Sequence, residues 1–170
     1  MQSLHKLIKA CDYVNEIVGK TFSWLALALV ITTAYTVFER YLFGSSEAWQ
    51  NELIRFFHGI LFLSVAGYTL KYDGHVRVDV FYGNFSERKK ALVNLIGTIF
   101  LLFPFALTLL YLAWGFVSNS WQLMEGSRED NGLPGVFIFK SFILLFCITL
   151  IIQGISIISD SILRLKSWQK

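Results

Sequence analysis

Four long stretches without a formal charge restrict what this chain can become. They run from Thr21 to Phe38, Phe56 to Leu70, Ala91 to Met124 and Ser141 to Ser159. A helix rises about 1.5 Å per residue and needs roughly 20 mainly apolar residues to cross a hydrocarbon core about 30 Å thick. Each stretch, with its flanks, meets or approaches that length. A soluble alternative would need polar surface that the composition does not supply: 55% of the residues are hydrophobic, 16 are Phe, and only 16% are charged. The expected fold is therefore an all-α integral membrane protein with four transmembrane helices, spanning about 21–43, 47–72, 90–122 and 138–163. The third stretch is far longer than a bilayer requires. It must tilt, bend or project from the membrane, and Pro104 marks the place for a kink.

Residues 1–20 form a separate unit ahead of this 21–163 membrane domain, and 164–170 make a tail. Leu4, Leu7, Ile8, Cys11, Val14 and Val18 recur at helical spacing, opposite Lys6, Lys9, Asp12 and Glu16. That pattern predicts an amphipathic helix lying on the membrane surface; the alternative is a plain continuation of the first span. The segment lacks the features of a cleavable signal peptide, so the first span is expected to stay in the protein.

Charge distribution gives the orientation. Lys6, Lys9, Lys20, Lys71, Arg77, Arg88, Lys89, Lys90, Arg164, Lys166 and Lys170 fall before the first span, between the second and third, and at the end. Only Arg40, Arg55, Arg128 and Lys140 occupy the other two loops. The positive-inside rule then places both termini and the central connector in the cytoplasm. The same distribution explains the net charge of +3 as topology and gives no reason to expect nucleic acid. Cys11 and Cys147 fall in different compartments of this plan and are not expected to pair.

Candidate chemistry is sparse. Ionisable residues inside a bilayer are costly and usually mark ion pathways, yet no span carries one at its centre. Gln153, the most polar side chain of the last span, is expected to make an interhelical hydrogen bond. Glu52, Arg55 and His58 follow one another at i, i+3, i+6 beside Trp49, which reads as an interfacial anchor or a subunit contact, with Glu52 pairing Arg55 or Arg40. His75, Arg77 and Asp79 stand in the connector, where Asp73-Gly74 marks a turn and Val76, Val78 and Val80 alternate like a strand or an extended segment. A packed connector explains them better than a metal or acid–base site. The loop from Glu125 to Phe139 is rich in turn formers, and Glu125 with Arg128 reads as a pair that fixes it. No catalytic, cofactor-binding or metal-ligating set emerges.

The order of several motifs resembles a known family, the small DctQ-type membrane subunit of tripartite ATP-independent periplasmic (TRAP) transporters. Arg40-Tyr41-Leu42-Phe43-Gly44 closes the first span, Trp49-Gln50-Asn51-Glu52-Leu53 opens the second, and His75-Val76-Arg77-Val78-Asp79-Val80 lies in the connector. Ser120-Trp121, Glu125-Gly126-Ser127, Gly132-Leu133-Pro134 and Lys140 look like the branch associated with 2-oxoacid, mannitol or chloroaromatic systems. Asn51 departs from the family pattern, in which a second acid often precedes the Glu. The resemblance implies a non-catalytic scaffold that braces a large sodium-coupled, elevator-type permease subunit for uptake of an organic acid. A periplasmic binding protein would deliver the substrate, with Glu47, Glu125, Arg128, Glu129 and Asp130 as its candidate contacts. Arg40, Trp49, Glu52, Arg55, His75, Arg77 and Asp79 are the candidates for structural or subunit contact. Sodium would belong to the large partner, no cofactor is expected in this chain, and its membrane setting leaves room for a bound phospholipid. A membrane-anchor subunit of a redox enzyme, with haem or quinone near His58, is the competing expectation.

Overall fold

The computed structural model describes residues 2–44, 47–75 and 82–167. Among them the protein is helical and has no strand. Helix α1 is Gln2–Ser23, α2 Leu25–Phe43, α3 Ala48–Lys71, α4 Glu87–Gly97, α5 Phe103–Gln122 and α6 Val136–Ser167. Among the described residues, four helical units are long and apolar enough to cross a membrane: Gln2–Phe43, Ala48–Lys71, Glu87–Gln122 and Val136–Ser167. The alternating Val76, Val78 and Val80, with Arg77 and Asp79, lie outside the described residues.

Local sequence explains where the helices stop. Gly44 caps α2 in the left-handed conformation at φ 70°, its N–H bonding the Arg40 carbonyl at 3.0 Å. At the end of α3, Asp73 takes φ 57°; Gly74 N–H reaches back to Thr69 O at 2.9 Å and Asp73 N–H to Leu70 O at 3.2 Å. This paired closure satisfies carbonyls that the helix would otherwise leave open. Met124, at φ 44°, ends α5 the same way, with Glu125 N–H bonded to Ser120 O at 3.0 Å.

The third unit is interrupted where the sequence predicts a bend. One π-type turn, Thr98–Leu102, separates α4 from α5, and Phe103 N–H bonds the Thr98 carbonyl five residues back. Pro104 follows in the first turn of α5. Proline cannot donate a hydrogen bond, and its ring crowds the carbonyl four residues earlier, so widening the preceding turn absorbs both problems.

The interior is lined by small and weakly polar residues. Ala66, Ala106 and Leu150 form its centre, packed by Leu70, Leu102, Phe146 and Ile151, and Ala113, Cys147, Thr149, Ser156, Ser159 and Ser161 are also buried. Large side chains such as Phe100, Leu101, Tyr111 and Trp114 face outward. That inversion suits a lipid solvent, where close backbone approach and polar contacts hold helices together and an outward Leu or Phe costs nothing.

Helix α1 adds polar contacts to the predicted amphipathic pattern. It packs between α3 and α6 and hardly touches α2, from which one residue, Trp24, separates it. Cys11, Asn15 and Gly19 are buried, whereas Leu7 and Val14 are exposed. Asp12 and Glu16, expected on the outer polar face, turn into the bundle. Asn15 Nδ2 donates to Gln153 Oε1 at 2.8 Å and to the Thr149 carbonyl at 3.3 Å. Gln153 Nε2 and Ser156 Oγ both donate to Asp12, at 3.1 and 2.7 Å. Glu16 accepts from Lys71 Nζ at 2.5 Å and from the Tyr72 hydroxyl at 2.7 Å. A polar seam therefore holds α1, and a side chain at Gly67 would strike Asn15 and Thr149. Periodicity finds the helix, but it carries no sign that Asp12, Asn15 and Glu16 pair with α3 and α6, as polar groups in a membrane protein seek partners within the protein.

Candidate functional site

At the opposite end of the bundle, the start of α3 meets the loop from Leu123 to Gly135, and several candidate residues gather here. Glu47 begins α3 in a reciprocal cap: its side chain accepts from the Gln50 backbone, and Gln50 Oε1 accepts from Glu47 N–H at 3.0 Å. Gln50 is buried and donates through Nε2 to Glu39 near the end of α2. Asn131 in the loop donates to Glu47 Oε2 at 3.4 Å. One short network thus ties two helices to the loop.

Glu52 is the keystone of the second network. It is buried, and its carboxylate accepts from Ser127 Oγ and from the Leu133 backbone N–H, the latter at 2.6 Å. Arg55 approaches Glu52 at 3.6 Å, so the expected pair forms, but the loop supplies the closer partners. Gly132 allows this arrangement because a Cβ there would collide with Ser127 and crowd Glu52. Ser127 N–H bonds Leu133 O at 2.9 Å and closes the loop around the carboxylate.

Glu125 forms the third contact. It accepts from Ser120 Oγ at 2.6 Å and from Lys140 Nζ at 2.5 Å, and that ammonium lies 4.1 Å from the centroid of the Phe116 ring. The Lys140 hydrogen bond, then that of Ser120, holds the Glu125 carboxyl below its ordinary range. The expected Glu125–Arg128 pair is thus a Glu125–Lys140 pair, with Arg128 adding a weaker favourable field.

The remaining candidates separate into two groups. Arg128, Glu129 and Asp130 are exposed at the loop tip, and Trp49, Arg40 and His58 are exposed on the outer sides of their helices. His75 is exposed at the far end, beside a connector whose Arg77 and Asp79 lie outside the described residues. His5, His58 and His75 therefore do not face one another across the bundle.

Sequence reasoning missed Glu39, Gln50 and Ser127. The spacing of Glu47 and Gln50 is that of a reciprocal cap and could have revealed one contact; the 75-residue separation between Glu52 and Ser127 offers no local signal.

The family model for the DctQ component of tripartite ATP-independent periplasmic transporters matches residues 29–164, most of the chain. The chain belongs to this family. It is the small membrane component of a TRAP transporter, a multi-pass membrane protein and a transporter component. No curated protein and no solved structure matches it. The matched region begins within α2, takes in α3, α4, α5 and the entire Glu52 loop network, and ends within the last turn of α6, so α1 precedes it.

Proposed function

We propose that this TRAP subunit is a non-catalytic scaffold that braces the large, sodium-coupled permease subunit during uptake of an organic acid. The observation that carries this reading is the location of its polarity. Charged side chains gather at the two ends of the bundle, where many are engaged within the chain, whereas the middle presents an apolar, aromatic outer surface. Such a surface suits contact with another membrane subunit and with lipid. A coupling site would require polar or ionisable groups near midspan, and the two carboxylates best placed, Glu52 and Glu125, are fixed to a loop.

In this reading both termini and the connector face the cytoplasm, which the charge bias supports, and the Glu52 loop faces the periplasm. Residues 1–20 form a cytoplasmic helix braced on the 21–163 membrane domain. The exposed Arg128, Glu129 and Asp130, with Glu47, would meet the periplasmic binding protein. Sodium and substrate belong to the large subunit, and this chain needs no cofactor of its own.

Co-expression with the large subunit tests the scaffold. Glu52→Ala and Arg40→Ala should each reduce recovery of the complex and substrate uptake more than Lys166→Ala. Unchanged recovery and uptake in both variants would remove the structural role assigned to this end. Charge reversal at Arg128 and Asp130 should weaken delivery by the binding protein while leaving the membrane complex intact.

A further inference from the structure

A cleft of about 380 Å³ opens between α3, α5 and α6 at the loop end. Phe56, Leu63, Phe116, Phe139 and Ile143 give it an apolar wall, and Phe56 stacks on Phe139 with ring centroids 4.6 Å apart. Arg55 and Lys140 stand at its mouth. Each is the residue immediately before a charge-free stretch, Phe56–Leu70 and Ser141–Ser159. The two helices thus bring their last cations before the hydrocarbon to one level, directly above an apolar slot.

The two cations are used differently. Lys140 is largely covered and committed to Glu125. The Arg55 side chain is 67% exposed, and the carboxylate it meets, Glu52, lies 3.6 Å away and is already bonded to Ser127 and Leu133. A guanidinium has five donors in a fork that fits two phosphate oxygens, so Arg55 keeps capacity for an anion. An exposed arginine at the hydrocarbon boundary extends toward the headgroups, where lipid phosphates lie.

We propose that this cleft seats one glycerophospholipid, its phosphate diester held by Arg55 and one acyl chain lying against Phe56, Phe116 and Phe139. Lys140 offsets the Glu125 carboxylate and Arg55 that of Glu52, so the four side chains leave no net negative charge at the mouth to repel the phosphate. The lipid would fill the gap between α3 and α5 and stiffen the end of the bundle that carries the Glu52 loop. This proposal rests on the membrane placement argued above, but not on which leaflet the loop end faces.

Native mass spectrometry of the full chain in mild detergent tests it. The probes are palmitoyl-oleoyl phosphatidylglycerol, palmitoyl-oleoyl phosphatidylethanolamine, the matching diacylglycerol and soluble glycerophosphoglycerol. Either phospholipid should give a single retained adduct, with diacylglycerol retained about tenfold less, as loss of a charge-assisted contact implies. Arg55→Gln should weaken the phospholipid adduct about tenfold and leave diacylglycerol unchanged, while Arg128→Gln leaves both unchanged. Val136→Trp, which fills the slot, should abolish retention. Circular dichroism establishes that each variant is folded.

Equal phospholipid retention by wild type and Arg55→Gln would overturn the proposal. So would glycerophosphoglycerol competing as well as intact lipid, or loss of the adduct when the large subunit binds, which would make the slot a protein contact. Failure of the chain to bind its large subunit is a separate result and counts against the scaffold alone.

Discussion

Helices α1 and α2 are consecutive and separated by a single residue, yet they bury opposite kinds of surface. Helix α1 turns Asp12, Asn15 and Glu16 toward α3 and α6 and leaves Leu7, Val14 and Ile17 outside. Helix α2 buries only Thr36 among its residues and exposes Leu27, Val30, Ile31, Tyr35 and Phe38. In water the second arrangement would be unstable. In lipid it costs little, because an apolar side chain gains almost nothing by exchanging hydrocarbon for protein, whereas an unpaired amide or carboxylate must find a partner. Polarity therefore fixes α1 to the bundle, and its absence leaves the α2 face available to a neighbour.

The most severe way to break this contrast is Gly67→Val. The new side chain would force Asn15 and Thr149 apart, and overpacking of this kind costs about 3 kcal/mol. Denaturation in mixed micelles should show that loss, with protease sensitivity appearing first in α1. Asn15→Ala is gentler. It strands Gln153 Oε1 and should lower stability by about 1–2 kcal/mol, the range for a buried interhelical hydrogen bond. A double-mutant cycle with Gln153→Ala should recover most of that value as coupling.

The loop end offers a pH-dependent comparison with the seam that holds α1. Glu125 is held below its ordinary value of 4.5 by Lys140 and Ser120, so its contribution is complete above pH 4.5 and disappears as the pH falls through the lowered value. Glu125→Gln should melt below wild type at pH 7, and the two melting curves should converge on acidification below pH 4.5. The smallest effect belongs to α2. Leu27→Ala with Ile31→Ala should change the stability of the isolated chain by no more than about 0.5 kcal/mol, yet reduce recovery of the large subunit.

The sequence displays some of these features more clearly than others. The four spans and the break before Pro104 are visible because each is a local signal: length without charge, and a missing donor. Glu52 could be singled out from its helix, but not its partners, since Ser127 and Leu133 come from a loop more than 70 residues away. The polar contacts of helix α1 are hidden for a different reason. Apolar periodicity identifies the buried face in water, and here Asp12 and Asn15 are held by Gln153 and Ser156 from the last helix. Only the polarity of Gln153 hinted at that seam.

The central claim is that this subunit supports transport without carrying the coupling step. Proteoliposomes test it directly, comparing sodium-driven uptake by the large subunit and binding protein with and without this chain, and by this chain alone. The account predicts uptake only when all three proteins are present, and none from this chain by itself. Sodium-driven uptake by the isolated chain would contradict it.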